Sequence, residues 1–540
     1  MSGQDQLALA EWQRIRRYAV PDRMIAECTE ARERGDWRAA CEAAEVDVLI
    51  DDPTPVADEL AGFAPDLLRW HLPRALGGYT TLVTSRRYVL VPHDGVIGPD
   101  STVLVVESPR SLIGSQRLTL QAARWGDVPG DDSYQLSKEL LLPAYLWDAR
   151  HAGELRTAVG GTAERLPGFA PDGSPLPDGM LGAGDDAPAR AESVRAETTL
   201  AARFAAAGFE TGKDFGEQLP PYDNGWNIHN VDPLRVAHDA RLLADRFGTG
   251  EWTLWIDYYW YIHLTVDGGT PRADWHILDR ADLTNPVRLL PRLHTDLTRY
   301  PVDLDLIRNG RLTAGDLHPL VRAALFPGVP AAPARPVPPA TPARVRCHGA
   351  WHEIGVQQGR LTLPGHTEAE RQRERAMRAF GGAVTGCFAA EQTWSGTAGR
   401  LPKKLRAHRE DLWQRMLHGG TRVVRELLEA GMDPNLRDSR GRTLVHRLRS
   451  YDHQVLLPLL LAAGADVNAR DLEDSTPLYL AVVFQAPAEL IIALVEAGAD
   501  PRTPNQDGMS VLDYLDDVLE YRDEVDPEFE PAVAYLRERA

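Results

Sequence analysis

The residues with the clearest capacity for chemistry lie in a run of period-two alternation, residues 252–266. Its odd positions place Trp255, Asp257, Tyr259, Tyr261 and His263 in one stripe, about 6.6 Å apart along an extended strand. An acid, two phenols and an imidazole on one wall can bind a polar ligand or move a proton, and His229 in the loop 225–230 is a companion. The same side chains equally suit a face covered by a second layer, where hydrogen bonds satisfy the hydroxyls and His263. A second set, Cys347, His348, His352 and Cys387, supplies four zinc-ligand types. Its spacing corresponds to no recognised pattern, and surface histidines beside buried thiols account for it more simply, so no metal and no cofactor are expected.

Other motifs fail on their chemistry. In Gly208-Phe209-Glu210-Thr211-Gly212-Lys213-Asp214 the glycines enclose three residues where a phosphate loop needs four. Asp214 also stands where a hydroxyl should hold magnesium. Asp100 and Glu107 suggest a metal-dependent nuclease, yet Pro109 occupies the position of the required lysine. His352-Glu353 is followed by Ile354-Gly355-Val356 and not by the second histidine of a zinc protease, and no nucleophile elbow is present.

The elements around these residues read as an α+β region. Helical spacing covers residues 5–19, 22–34, 36–45 and 57–71, and short β-rich runs from Tyr79 to Trp125 read as an antiparallel meander. A Pro/Gly-rich loop, 167–190, leads to a second α+β region, 191–325, where the alternating run reads as one long, bent strand. Seven prolines between Phe326 and Ala343 mark an extended linker and a domain boundary. Residues 344–400 read as a small helical or irregular connector before a repeat region, 401–540.

That last region has a fixed period. Gly431, Gly464 and Gly498 each close an apolar helix, and Thr443, Thr476 and Ser510 each stand third in the segments GRTLVH, DSTPLY and GMSVLD. Both series step by 33 and 34 residues. A Thr or Ser cap, a left-handed glycine and an apolar face too small to fold alone require stacking of neighbouring units. The segments resemble the ankyrin-repeat family. About four units fit, at 405–437, 438–470, 471–504 and 505–540. Asp474 replaces the usual glycine, Leu444 and Val511 the usual proline, and Pro458 predicts a kinked or late-starting helix.

The resemblance implies an all-α solenoid that binds a protein partner through its concave face. Carried over by spacing, that face holds Arg447, Ser450 and Tyr451, then Leu480, Val483 and Phe484, then Tyr514, Asp517 and Val518. Charge is polarised along it: eight Lys/Arg against two acids between Arg400 and Arg425, and ten acids against Arg522 alone between Asp507 and Glu530.

Composition narrows the function. At about 150 residues per domain, 540 residues predict two to four compact units. A net charge of −19 repels phosphate backbones, so a neutral or basic protein partner is expected and nucleic acid is not. Four cysteines give no disulfide framework, and the absence of a leader pattern or a long apolar run predicts a cytoplasmic protein that does not engage membranes. The sequence reads as an ankyrin-repeat interaction protein, one version being an inhibitor or immunity-type protein that neutralises a basic partner. The alternative is an enzyme with its active site on the 252–266 strand and the repeats as a targeting module.

Overall fold

The computed structural model describes residues 3–112, 114–128, 139–212, 215, 231–256, 260–277, 290–332, 342–357, 359–380, 384–396, 399–521 and 529–539. The chain divides into two compact units, one formed by residues 1–112 and 116–334, the other by 335–540 with 113–115. No helix among the described residues is long and apolar enough to cross a membrane.

The first unit combines helices with two five-stranded sheets. The first sheet contains β1 (Val46–Val48), β2 (Arg87–Leu90), β3 (Thr102–Glu107), β4 (Leu118–Arg124) and β5 (Glu139–Leu142), in the order β1-β4-β3-β2-β5. Its centre is antiparallel, with β2 pairing β3 and β3 pairing β4, whereas the sequence reads as an antiparallel meander throughout. The edges correct that reading, because β1 joins β4 and β5 joins β2 in parallel. Both faces are covered: Tyr88, Leu90, Leu104 and Val106 enter one core with the helices, and Val89, Val91, Val103 and Val105 enter another. Double burial explains the near-continuous apolar run of β3.

The second sheet contains β6 (Glu210–Thr211), β7 (Glu251–Trp255), β8 (Trp260–Thr265), β9 (Arg272–Ile277) and β10 (Arg292–His294), in the order β10-β7-β8-β9-β6. The run read as one long strand is therefore a hairpin, with β7 antiparallel to β8 and Trp252 opposite Leu264. Alternation survives the turn because Trp252, Leu254, Ile262 and Leu264 all face the same core as helix Pro233–Phe247. The Pro/Gly-rich loop is internal to this unit. Buried Glu192 gathers it by accepting from the backbone N–H groups of Gly168 and Gly182, both at 2.7 Å, and from Arg165.

Buried ion pairs tie distant segments of the unit together. Arg16 of helix Gly3–Tyr18 reaches Asp303 of helix Val302–Arg308 at 2.5 Å, and the Trp70 indole donates to the same carboxylate at 3.1 Å. Asp66 is held by Arg32 at 2.7 Å and by His318 at 3.0 Å. Burial opposes the Asp66 charge, yet these partners hold its carboxyl below the usual range.

In the second unit, residues 343–362 correct the expected connector. They form an antiparallel sheet of β11 (Ala343–Cys347), β12 (Ala350–Gln357) and β13 (Arg360–Thr362). The hairpin closes through His348-Gly349, both at positive φ (49° and 86°), the conformation a two-residue turn requires. Helices Glu368–Ala379 and Gly386–Ser395 follow, then helix Lys403–Glu429, broken at Gly420. After it come a 3-10 turn, Val445–Ser450, and helices His453–Ala462, Pro477–Val483, Ala488–Glu496, Val511–Tyr521 and Glu530–Glu538. One core runs from Cys347 and Cys387 through Trp394 to Leu536.

Candidate protein-binding surface

Three loops in the repeat region share one construction. The carboxylate of Asp438 accepts the backbone N–H groups of Arg440 and Arg442, Asp471 those of Glu473 and Ser475, and Asn505 those of Asp507 and Met509. Each folds the chain back before the next helix. The left-handed residue in these loops is Gly441 or Gly508 in two of them and Asp474, at φ 53°, in the third. Aspartate tolerates that conformation better than most residues, so it can stand where the other two loops carry glycine.

The loops and helix ends are also bonded from unit to unit. Asn435 donates to Gly464 O at 2.9 Å and accepts from Asp466 N at 2.9 Å, and Asn468 does the same with Gly498 and Asp500 at 2.9 and 3.0 Å. Buried Arg442 crosses to Asp471 at 3.0 Å. Gly431, Gly464 and Gly498 all close their helices at positive φ.

His446 is the most constrained side chain of this ladder. Its Nδ1 accepts from the Thr443 backbone N–H at 3.0 Å and lies 2.9 Å from the Thr443 hydroxyl, while Nε2 lies 3.2 Å from Ser475 O in the next unit. Nε2 therefore carries the proton and donates across the interface. Burial pushes the imidazole down to about 4. Between pH about 6.5 and 4 the unfolded chain binds a proton that the folded one does not, so stability is fully present above that window and falls as pH drops through it. Acid titration of wild type and His446→Gln, followed by circular dichroism, should show a shallower loss for the variant over that range.

The Thr443 hydroxyl, engaged by His446, does not cap a helix, and Val445–Ser450 closes as a 3-10 turn in place of the expected helix. Thr476 and Ser510 do cap, accepting from Tyr479 N and Asp513 N. Pro458 lies inside helix His453–Ala462 without delaying its start, which Asp452 caps at Gln454 and Val455. The carbonyl it leaves unpaired belongs to exposed Gln454, where water can serve.

The surface residues named from spacing divide by burial. Leu480 and Tyr451 are only 5% and 9% exposed and face the interior. Arg447 is half-buried against Asp438 at 2.6 Å. Val483, Phe484 and Tyr514 are half-buried and Asp517 is exposed. Two residues that spacing missed complete the patch: Arg449 lies over the Phe484 ring at 5.3 Å, and the Tyr479 ring meets Tyr514 edge-on at 6.1 Å. Tyr479 was legible as the residue four before Val483, on the same helix face.

The aromatic stripe of the first unit is assembled across the β7–β8 hairpin. Trp255 and Tyr261 stack at 5.1 Å, Tyr261 stacks on His276 at 5.3 Å, and Arg292 covers Trp255 at 4.4 Å. His263 lies beside them, 6.2 Å from His276 and 3.9 Å from Glu251. Burial raises the Tyr261 hydroxyl above its ordinary value. Asp257, Tyr259 and His229 lie outside the described residues.

Residues 413–505 match the family model of ankyrin repeats, in three copies. An ankyrin repeat-containing protein of Schizosaccharomyces pombe is 32% identical over 106 residues, 20% of this chain and 50% of that protein. NF-kappa-B inhibitor delta of Mus musculus is 31% identical over 100 residues, 18% of this chain and 29% of that protein. The E3 ubiquitin-protein ligase KEG of Arabidopsis thaliana is 31% identical over 90 residues, 16% of this chain and 6% of that protein. The chain thus spans half the length of the first relative and less of the others. Its C-terminal part carries ankyrin repeats, a resemblance its sequence period already implied.

Proposed function

We propose that this chain is a cytoplasmic interaction protein whose repeats stack as an all-α solenoid and dock a neutral or basic protein partner. What supports this reading is that Tyr479, Val483, Phe484 and Tyr514 are half-buried at helices Pro477–Val483 and Val511–Tyr521, with Tyr479 and Tyr514 in ring contact, in and beside the segment that matches ankyrin repeats. Half-buried aromatic rings keep contact area on offer while their own packing fixes their rotamers, which is the property of an interface anchor. Asp513, Asp516 and Asp517 stand exposed on helix Val511–Tyr521 and would steer a basic partner toward that end. Neutralisation of such a partner, as an inhibitor, is the finer version, and one similar protein is an inhibitor by name.

The test uses Val483→Glu/Phe484→Glu, because buried Leu480 is a poor probe of surface. Affinity enrichment from native lysate, with folding checked by circular dichroism, should recover a partner with wild type and lose it at least about tenfold with the folded variant, about 1.4 kcal/mol or more. Equal recovery by both proteins removes this patch from the function. Asp516→Asn/Asp517→Asn should slow association most at low ionic strength if the partner is basic.

A further inference from the structure

The second unit gathers four metal-ligand side chains that lie far apart in sequence. Cys347 ends β11 and His352 lies on β12, both on the inward face of the hairpin with Val345 opposite His352. His366 stands in the loop before helix Glu368–Ala379, and Cys387 is the second residue of helix Gly386–Ser395. One donor atom from each, two thiol sulfurs and two imidazole nitrogens, lies within 4.8 Å of all the others. The facing nitrogens, His352 Nδ1 and His366 Nε2, are 2.9 Å apart. A tetrahedral zinc, with bonds of about 2.3 Å to sulfur and 2.0–2.1 Å to nitrogen, sets its donors about 3.3–3.8 Å apart, so small movements close this set around an ion. We propose that Cys347, His352, His366 and Cys387 form a structural zinc site.

The surroundings are shaped for those four groups. A Cβ at Gly365 would lie 2.9 Å from His352 Nδ1. One at Gly386, at φ 64°, would lie 2.7 Å from Cys347 Sγ, so side chains are excluded where the donors converge. Behind His366, the Nδ1 atom lies 3.8 Å from the Glu370 carboxylate, which the Thr367 backbone N–H fixes at 2.8 Å. A carboxylate behind a ligating imidazole orients the ring and raises its basicity. Phe388 packs on the His366 ring at 4.5 Å. Both cysteines are buried and free, and two imidazoles with two thiolates neutralise and fill a closed four-coordinate site with no position left for substrate. His348, which spacing had grouped with the cysteines, belongs to the tight turn and is replaced in the set by His366.

A smaller group in the first unit, His93, His151 and Glu154, offers only three donors: the two imidazoles stack in parallel at 3.7 Å and one nitrogen of each approaches the same Glu154 oxygen, at 2.8 and 3.3 Å.

Full-length protein saturated with Zn2+ and desalted should hold one zinc per chain by mass spectrometry, and Co2+ exchanged into it should give the visible bands of a tetrahedral thiolate site. His366→Ala and Cys387→Ala should lose both signals, whereas His348→Ala should keep them. His366→Cys guards against a folding artefact, because a third thiolate should retain the metal. Wild type without stoichiometric zinc, or undiminished zinc in His366→Ala, overturns the assignment.

Discussion

Replacing Asp303 with alanine should destabilise the first unit by about 3–5 kcal/mol, the cost of removing one partner from a buried ion pair. Asp303 is 2% exposed and the Arg16 side chain 6%, so the guanidinium left behind has little access to water. Its surroundings are then mostly cationic: Arg16 lines a pocket with Arg235, Arg299 and His71, and Asp296 is the carboxylate that remains there. The Trp70 indole N–H loses its acceptor as well. Calorimetry should show the transition of this unit moved down, and Asp303→Asn should fall between wild type and alanine because it keeps an acceptor for Trp70. A shift within experimental error would mean that Arg16 finds another partner and the pair does not hold the unit together.

Trp394→Ala should cost the second unit about 3–5 kcal/mol through lost burial and the cavity left behind. Trp394 is 1% exposed and donates to Gly359 O at 3.1 Å. It stands where the β11–β13 segment meets the first repeat: Met432 packs so closely on Gly359 that a Cβ there would lie 2.6 Å from it, and Ser395 donates to Asp433 at 3.0 Å. Repeat arrays need covered ends, so this loss should lower the cooperativity of unfolding as well as its midpoint. A variant that unfolds at the wild-type midpoint in denaturant would show that the segment does not seal the array.

The sequence was most informative where geometry repeats. Gly431, Gly464 and Gly498 occupy one left-handed helix ending three times over, and three aligned occurrences carry a signal that a single glycine does not. The alternation of residues 252–266 was equally legible, but its division into two strands was not, because no Gly or Asn interrupts the run and both strands keep the same faces. β1 and β5 are three and four residues long, too short to show a period, and they join the sheet in parallel across long connections. In β11 the apolar residues Ala343, Val345 and Cys347 alternate with Arg344 and Arg346, a strand signal that was present but only five residues long and directly behind the proline-rich run. The cysteines of the proposed zinc site were visible, whereas His366 becomes their neighbour only after the hairpin and the following loop have folded. Burial of Leu480 against solvent-facing Asp517 could not be read from repeat spacing, which fixes a position in the unit and not its depth.

The contact between Arg16 and Asp303 joins residues 287 apart, and it sets a timetable for the newborn chain. At about 5–20 residues per second, a ribosome needs about 15–60 s to deliver Asp303 after Arg16. Until Asp303 is made, the aromatic shelf of the folded unit, Trp12 and Trp70 against the guanidinium, lacks the carboxylate that completes it. The first unit therefore finishes late in its own translation.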